Sequence, residues 1–161
     1  MPVPTHPPTD PVEAVTALVL ATFRLNGVLV ASGDDLVGDL GLSSARWRVL
    51  GAVAFAGEPM TVARIGRAMG LSRQSAQRVV NDLWDIGYVG LHPNPEHRRA
   101  PLVRLTAAGE QAFASAMARQ RPWARSLAEG LDTGFIADAA GLLTELAARL
   151  GRGPPAESNP A

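Results

Sequence analysis

Residues 70–83 read Gly70-Leu71-Ser72-Arg73-Gln74-Ser75-Ala76-Gln77-Arg78-Val79-Val80-Asn81-Asp82-Leu83, and the fold follows from how this stretch divides. Gly70 is a helix stop and Ser72 is a helix start, because glycine accepts the left-handed turn that ends a helix and serine oxygen satisfies a free amide at the next. Ala76, Val79, Val80 and Leu83 recur at helical spacing and predict a buried stripe. Upstream, Thr61 caps a short helix with Val62, Ile65, Gly66 and Met69 on one face. Two short helices joined by a tight turn form a helix-turn-helix, in which the second helix presents its first turns to base edges. Its solvent face holds Arg73, Gln74, Gln77, Arg78 and Asn81. Arg can bond guanine O6 and N7, and Gln or Asn can bond adenine N6 and N7. Ser72 and Ser75 lie where a helix N-terminus offers amides to a phosphate. The plainer reading of the same face is a solvated helix with an ordinary Arg78–Asp82 pair one turn apart.

The flanks bear on that choice. Residues 88–91 and 102–105 shorten to β-type apolar runs around a polar, proline-punctuated stretch, which predicts a hairpin whose long tip holds Arg98 and Arg99 between Pro95 and Pro101. Such a wing meets the sugar-phosphate backbone or slips an arginine into the minor groove. Before the two short helices, Ser43 or Ser44 caps a helix with Trp47, Leu50, Gly51 and Ala54 on one face, stopped by Gly57 and Pro59. Earlier still, Val15, Leu18, Val19, Thr22, Leu25 and Leu29 predict a helix ending near Gly33 or Gly38. After the hairpin, Thr106 caps a helix to about Gln120, interrupted at Pro122, and a last helix carries Phe135, Ala139, Leu142, Leu143, Leu146 and Leu150. The apolar faces of the first and last helices exceed what one small winged domain can cover, which points to a homodimer.

The chain of 161 residues is long enough for one core. Its zero net charge hides an asymmetry: residues 43–105 hold nine arginines against four acids, a net +5, and the flanks carry the compensating −5. A basic middle between acidic ends is a footprint for a polyanion. The expected organisation is a disordered tail at 1–11, an N-terminal dimerisation helix at 12–42, a winged helix-turn-helix at 43–105, C-terminal dimerisation helices at 106–150 and a second tail at 151–161. The fold class is mainly α with a small β-hairpin wing.

Several functions are excluded or disfavoured. There is no cysteine, which removes disulfides, Cys-based zinc sites and thiol switches. No Gly-rich phosphate loop, H-E-x-x-H or Gly-x-Ser-x-Gly motif occurs, so an enzyme is not expected. His92, Glu96 and His97 lack a fourth convergent ligand, and no metal or cofactor is expected. No apolar run reads as approaching the ~20 residues that cross a bilayer, residues 1–9 lack the basic-then-apolar order of a signal peptide, and the expected location is the cytoplasm.

At this point the sequence resembles a known family, the MarR regulators. Gly70-Leu71-Ser72-Arg73-Gln74-Ser75 followed by Val79-Val80-Asn81-Asp82-Leu83 looks like that family's recognition helix, and Gly87-Tyr88-Val89 like its exit into the wing. Asn94 through Ala100, leading into Val103-Arg104-Leu105-Thr106-Ala107-Ala108-Gly109, resembles its wing and return strand. The resemblance covers residues 42–113 and implies a homodimeric, ligand-responsive repressor that binds double-stranded DNA at a near-palindromic operator, with half-sites ~10.5 base pairs or a multiple apart. The DNA-contacting residues it implies are Ser72, Arg73, Gln74, Ser75, Gln77, Arg78, Arg98 and Arg99. It also implies an aromatic or anionic small-molecule effector. Phe23, Arg46, Trp47 and Phe55 are candidate walls, but the plainer reading, with Trp47 and Phe55 as core and Arg46 as surface, is preferred and no ligand site is assigned. One departure is His97-Arg98-Arg99 where the family's wing usually has Asp-x-Arg. Histidine does not orient an arginine as a carboxylate does, which leaves Arg99 looser, His97 itself on a phosphate, or Glu96 as the substitute orienter. The competing function is a winged helix used as a protein-interaction module.

Overall fold

The computed structural model describes residues 10–151, and most of both expected tails lies outside them. Asp10 and Pro11, assigned above to the first tail, instead start a helix. Asp10 Oδ1 accepts from the Val12 amide at 3.1 Å and Pro11 takes the first helical position, opening α1 (Pro11–Val37). A short 3-10 turn, Gly38–Leu40, leads to α2 (Ser44–Ala56), capped by Ser43. The joint is bonded from several elements. Ser44 Oγ donates to the Val30 carbonyl at 2.7 Å, the Ser44 amide donates to Asp34 Oδ1 at 2.6 Å, and Tyr88 Oη donates to the Leu40 carbonyl at 2.8 Å.

Helix α2 is the centre of the core. The face expected from Trp47, Leu50, Gly51 and Ala54 is wider in fact: Val49, Leu50, Gly51 and Val53 are buried, while Trp47 packs partly buried against them. Helix α3 (Val62–Met69) and α4 (Arg73–Asp85) close over it, with Ile65 of α3 and Ala76, Val80 and Leu83 of α4 fully inside. Among the described residues the strands number three where periodicity indicates two. β1 (Met60–Thr61), β2 (Val89–His92) and β3 (Leu102–Leu105) form an antiparallel sheet in the order β1-β3-β2. Met60 faces Val103, and Val89 faces Leu105. A two-residue strand leaves no alternation to detect, and only its pairing defines it.

Helix α5 (Ala107–Ala128) starts where Thr106 Oγ1 accepts from the Gly109 amide at 3.1 Å and donates to the Gly87 carbonyl at 2.7 Å. It buries Ala112 and Ala116, and Phe113 meets Phe55 edge-on with centroids 5.4 Å apart. The expected interruption at Pro122 does not occur, and the helix continues to Ala128. A proline removes one backbone hydrogen bond and bends a helix, but intact turns on both sides carry it onward. By compactness the chain divides between Gln120 and Arg121. The second unit contains α6 (Thr133–Gly151), capped by Asp132 through a 2.9 Å bond from the Phe135 amide; its last residue was assigned above to the tail.

Two helices show more apolar surface than a finished core. On α1, Val12, Phe23 and Val28 are more than 60% exposed, and on α6 Phe135 and Leu150 are too. By length and composition alone, residues 11–40 are apolar enough to cross a bilayer, which corrects the sequence reading that no run approaches that length. Arg24 and Asn26 interrupt the middle of this stretch. A cation at a bilayer centre costs ~2.5–3.5 kcal/mol.

Arg119 of α5 donates to the Leu36 carbonyl at 3.1 Å and forks onto Asp39, with Nη2 to Oδ2 at 2.8 Å. That hydrogen bond holds the Asp39 carboxyl below its ordinary value against an opposing desolvation. A depressed carboxylate contributes stability above its unfolded pKa of ~3.9 and loses it as pH falls through the folded value. Urea titrations of the parent and Asp39→Asn are therefore expected to differ at about pH 6 and to converge as the pH is taken well below the ordinary aspartate range. At Gly109, an added Cβ would overlap the Tyr88 carbonyl, so the first turn of α5 sits against the Tyr88 backbone only because the residue is glycine. Gly109→Ala is expected to lower stability by about 1–3 kcal/mol, read from the urea midpoint.

Candidate nucleic-acid interface

The turn between α3 and α4 is a local consequence of its residues. Gly70 adopts φ +63°, and the Leu71 amide returns to the Gly66 carbonyl at 2.8 Å, which closes α3. Ser72 Oγ accepts from the Ser75 amide at 3.1 Å and donates to Ser75 Oγ at 2.9 Å, which opens α4. With Ala76, Val79, Val80 and Leu83 facing inward, the opposite face must hold Arg73, Gln74, Gln77, Arg78 and Asn81. All five are exposed and line one open hollow on the surface.

The ordinary ion pair that would have explained Arg78 is not formed. Asp82 is bridged from α2 by Arg46 at 3.5 Å, and Arg46 also donates to the Gly41 carbonyl at 3.3 Å. Among the described residues Arg78 has no ion-pair partner. Gln77 Nε2 donates to Asn81 Oδ1 at 2.8 Å, so two amides on this face are bonded to each other. Asn81 is thereby tied into the face by a contact that spacing alone does not specify.

Arg98 and Arg99 lie on a second element, the wing between β2 and β3, and are exposed at its tip. There the Ala100 amide donates to the His97 carbonyl at 2.9 Å, so Arg98 and Arg99 are the two central residues of a tight turn. The side chain that organises the tip is Asn94, only 9% exposed. Its Nδ2 donates to the Ala100 carbonyl at 3.0 Å and its Oδ1 accepts from the Glu96 amide at 3.0 Å. Glu96, weighed in the sequence as a substitute orienter, contributes its backbone amide and forms no ion pair among the described residues, and His97 contributes its carbonyl. The signal for Asn94 was present in Asn94-Pro95-Glu96, since asparagine bonds the amide two residues on in turns.

Of the residues suggested as effector walls, Trp47 packs partly buried against the core. Phe55 is 75% exposed and packs on Phe113, Phe23 is 70% exposed on α1, and Arg46 is occupied by Gly41 and Asp82.

A sequence model described as MarR family matches residues 40–100. An uncharacterized protein of Mycobacterium tuberculosis is 34% identical over 120 residues, covering 74% of this chain and 82% of that protein. The transcriptional activatory protein BadR of Rhodopseudomonas palustris is 26% identical over 103 residues, covering 63% of this chain and 59% of BadR. Among solved structures, a mutant MarR from Escherichia coli complexed with operator DNA superposes with a TM-score of 0.73 at 19% identity, covering 86% of this chain and 99% of that one. CouR of Rhodococcus jostii bound to p-coumaroyl-CoA gives a TM-score of 0.73 at 20% identity, covering 87% and 96%. With a winged helix-turn-helix fold and a MarR-family sequence match over residues 40–100, the chain belongs to the MarR family of DNA-binding transcription regulators.

Proposed function

We propose that this chain is a homodimeric repressor that reads a near-palindromic operator in duplex DNA and responds to a small aromatic or anionic effector. The observation that carries the reading is the outward face of α4, a stripe of arginine and amide side chains held outward by a fully buried opposite face. Arg73, Gln74, Gln77 and Arg78 enter the major groove. Ser72 and Ser75 stand at the helix N-terminus, where the Ser75 amide is already taken by Ser72 Oγ, so a phosphate meets the amides of Arg73 and Gln74. Arg98 and Arg99 reach the backbone or the minor groove from the wing turn. The net +5 of residues 43–105 supplies the attraction that brings the duplex in.

The homodimer is proposed to cover the apolar faces of α1 and α6, each of which is too exposed for a finished protein surface. This pairing accounts for the apolar length of α1 without a membrane, and the protein works in the cytoplasm on the chromosome. Repression is the proposed output, because a dimer on a promoter blocks polymerase with no further contact; BadR, named as an activator, marks the opposite sign as the outcome to test for. The p-coumaroyl-CoA held by CouR supports an effector of aromatic or anionic character.

Footprinting on DNA upstream of the gene tests the operator, and a promoter–reporter fusion reads the sign. A protein-interaction module would instead give weak, sequence-indifferent binding. Arg73→Ala and Gln77→Ala are expected to reduce discrimination by ~1–3 kcal/mol at individual base pairs. Arg99→Ala and Asn94→Ala should weaken binding evenly across sequences, with Arg99→Ala lowering the slope of log affinity against log salt by about one. If all these variants bind like the parent, the interface is misassigned. In sedimentation experiments the parent should run as a dimer, and the double variant Val19→Glu with Phe23→Glu as a monomer that leaves no two-half-site footprint.

A further inference from the structure

Gln77 and Asn81 stand one turn apart on the exposed face of α4, joined by the bond from Gln77 Nε2 to Asn81 Oδ1 at 2.8 Å. That bond uses one hydrogen of the Gln77 amide and one lone pair of the Asn81 oxygen. Gln77 Oε1 remains an acceptor and both hydrogens of Asn81 Nδ2 remain donors, and neither atom has a further partner among the described residues. The bonded pair therefore leaves one free acceptor, on Gln77, and one free donor group, on Asn81. Adenine shows the complementary order in the major groove, a donor at N6 next to an acceptor at N7. Guanine shows two acceptors, O6 and N7, and would set O6 against Gln77 Oε1. The flanking Arg73 and Arg78 carry donors only and suit guanine or phosphate.

We propose that Gln77 and Asn81 act as one unit that reads a single adenine in each half-site, with Gln77 Oε1 accepting from N6 and Asn81 Nδ2 donating to N7. Asn81 is thus a specificity-determining residue beyond the contacts assigned above. The internal bond orders both amides before DNA arrives, so less side-chain freedom is lost on binding than for two independent long side chains. The inference rests on the reading of α4 as the groove-entering helix.

The test is selection of a random-sequence duplex library with the full-length chain, followed by affinities on the selected site with single base-pair changes. The parent is expected to require one A·T pair per half-site, with its replacement by G·C weakening binding about ten-fold. Gln77→Ala and Asn81→Ala should each lose that preference at the same position, to within about two-fold, and the double variant should lose no more than either single one. Asn81→Asp keeps the acceptor for Gln77 but removes the donor for N7. It should also lose the adenine preference while its circular dichroism and melting match the parent, which separates reading from folding. Loss of preference at two different positions, additive losses, or an unchanged motif in the variants overturns the proposal. A parent that selects no motif overturns operator binding itself, and this inference with it.

Discussion

The burial of one stripe on α4 is the constraint on which the functional surface depends. Ala76, Val80 and Leu83 are inside the core with Leu50 and Ile65, and rotating the helix to expose them would forfeit ~1.5–3 kcal/mol for each large side chain. With the rotation set, Arg73, Gln74, Gln77, Arg78 and Asn81 have no direction left but outward. The turn before the helix adds the second coordinate. Gly70 ends α3 and Ser72 begins α4 within three residues, which sets the entry angle of the N-terminal turns. Polar chemistry on this face is thus positioned by apolar chemistry on the other.

The wing is held by different means. Its strands are short, and a two-stranded ribbon alone is marginal, so the pairing of Met60–Thr61 with Val103 and Leu102 gives β3 a neighbour on each side. At the far end Asn94 closes the tip on its own backbone and presents Arg98 and Arg99 from a tight turn. A buried amide with both ends satisfied orders the loop backbone, which does not require a carboxylate bonded to the arginine.

Between α1 and the helices that follow it, hydrogen bonds add to the apolar contact made by Val37. Ser44, Tyr88, Arg46 and Arg119 bond backbone carbonyls at residues 30, 40, 41 and 36, each from outside α1. Arg46 also meets Asp82 on α4, so one guanidinium touches both the end of this joint and the helix with the outward polar face. The same arrangement leaves most of α1 bare, and residues 11–40 resemble a membrane span by length and composition. Amphipathic pattern and apolar length are ambiguous between lipid and protein as the covering phase; Arg24 and Asn26 favour protein.

The sequence by itself determined the elements whose causes are local. Caps at Ser43, Thr61, Ser72 and Thr106, the stop at Gly70 and the period of the α4 stripe are readable because hydrogen bonds and burial within one or two turns decide them. The outward polar face of α4 and the exposed arginines of the wing tip followed from those signals and from residue type. Tertiary structure alone decided what depends on residues distant along the chain. It paired Met60 with Val103, carried α5 through Pro122, gave Asp82 to Arg46 rather than Arg78, and folded Ala100 back onto Asn94. Each of these is a choice between partners of equal local merit, and only packing of the whole chain brings one of them within reach.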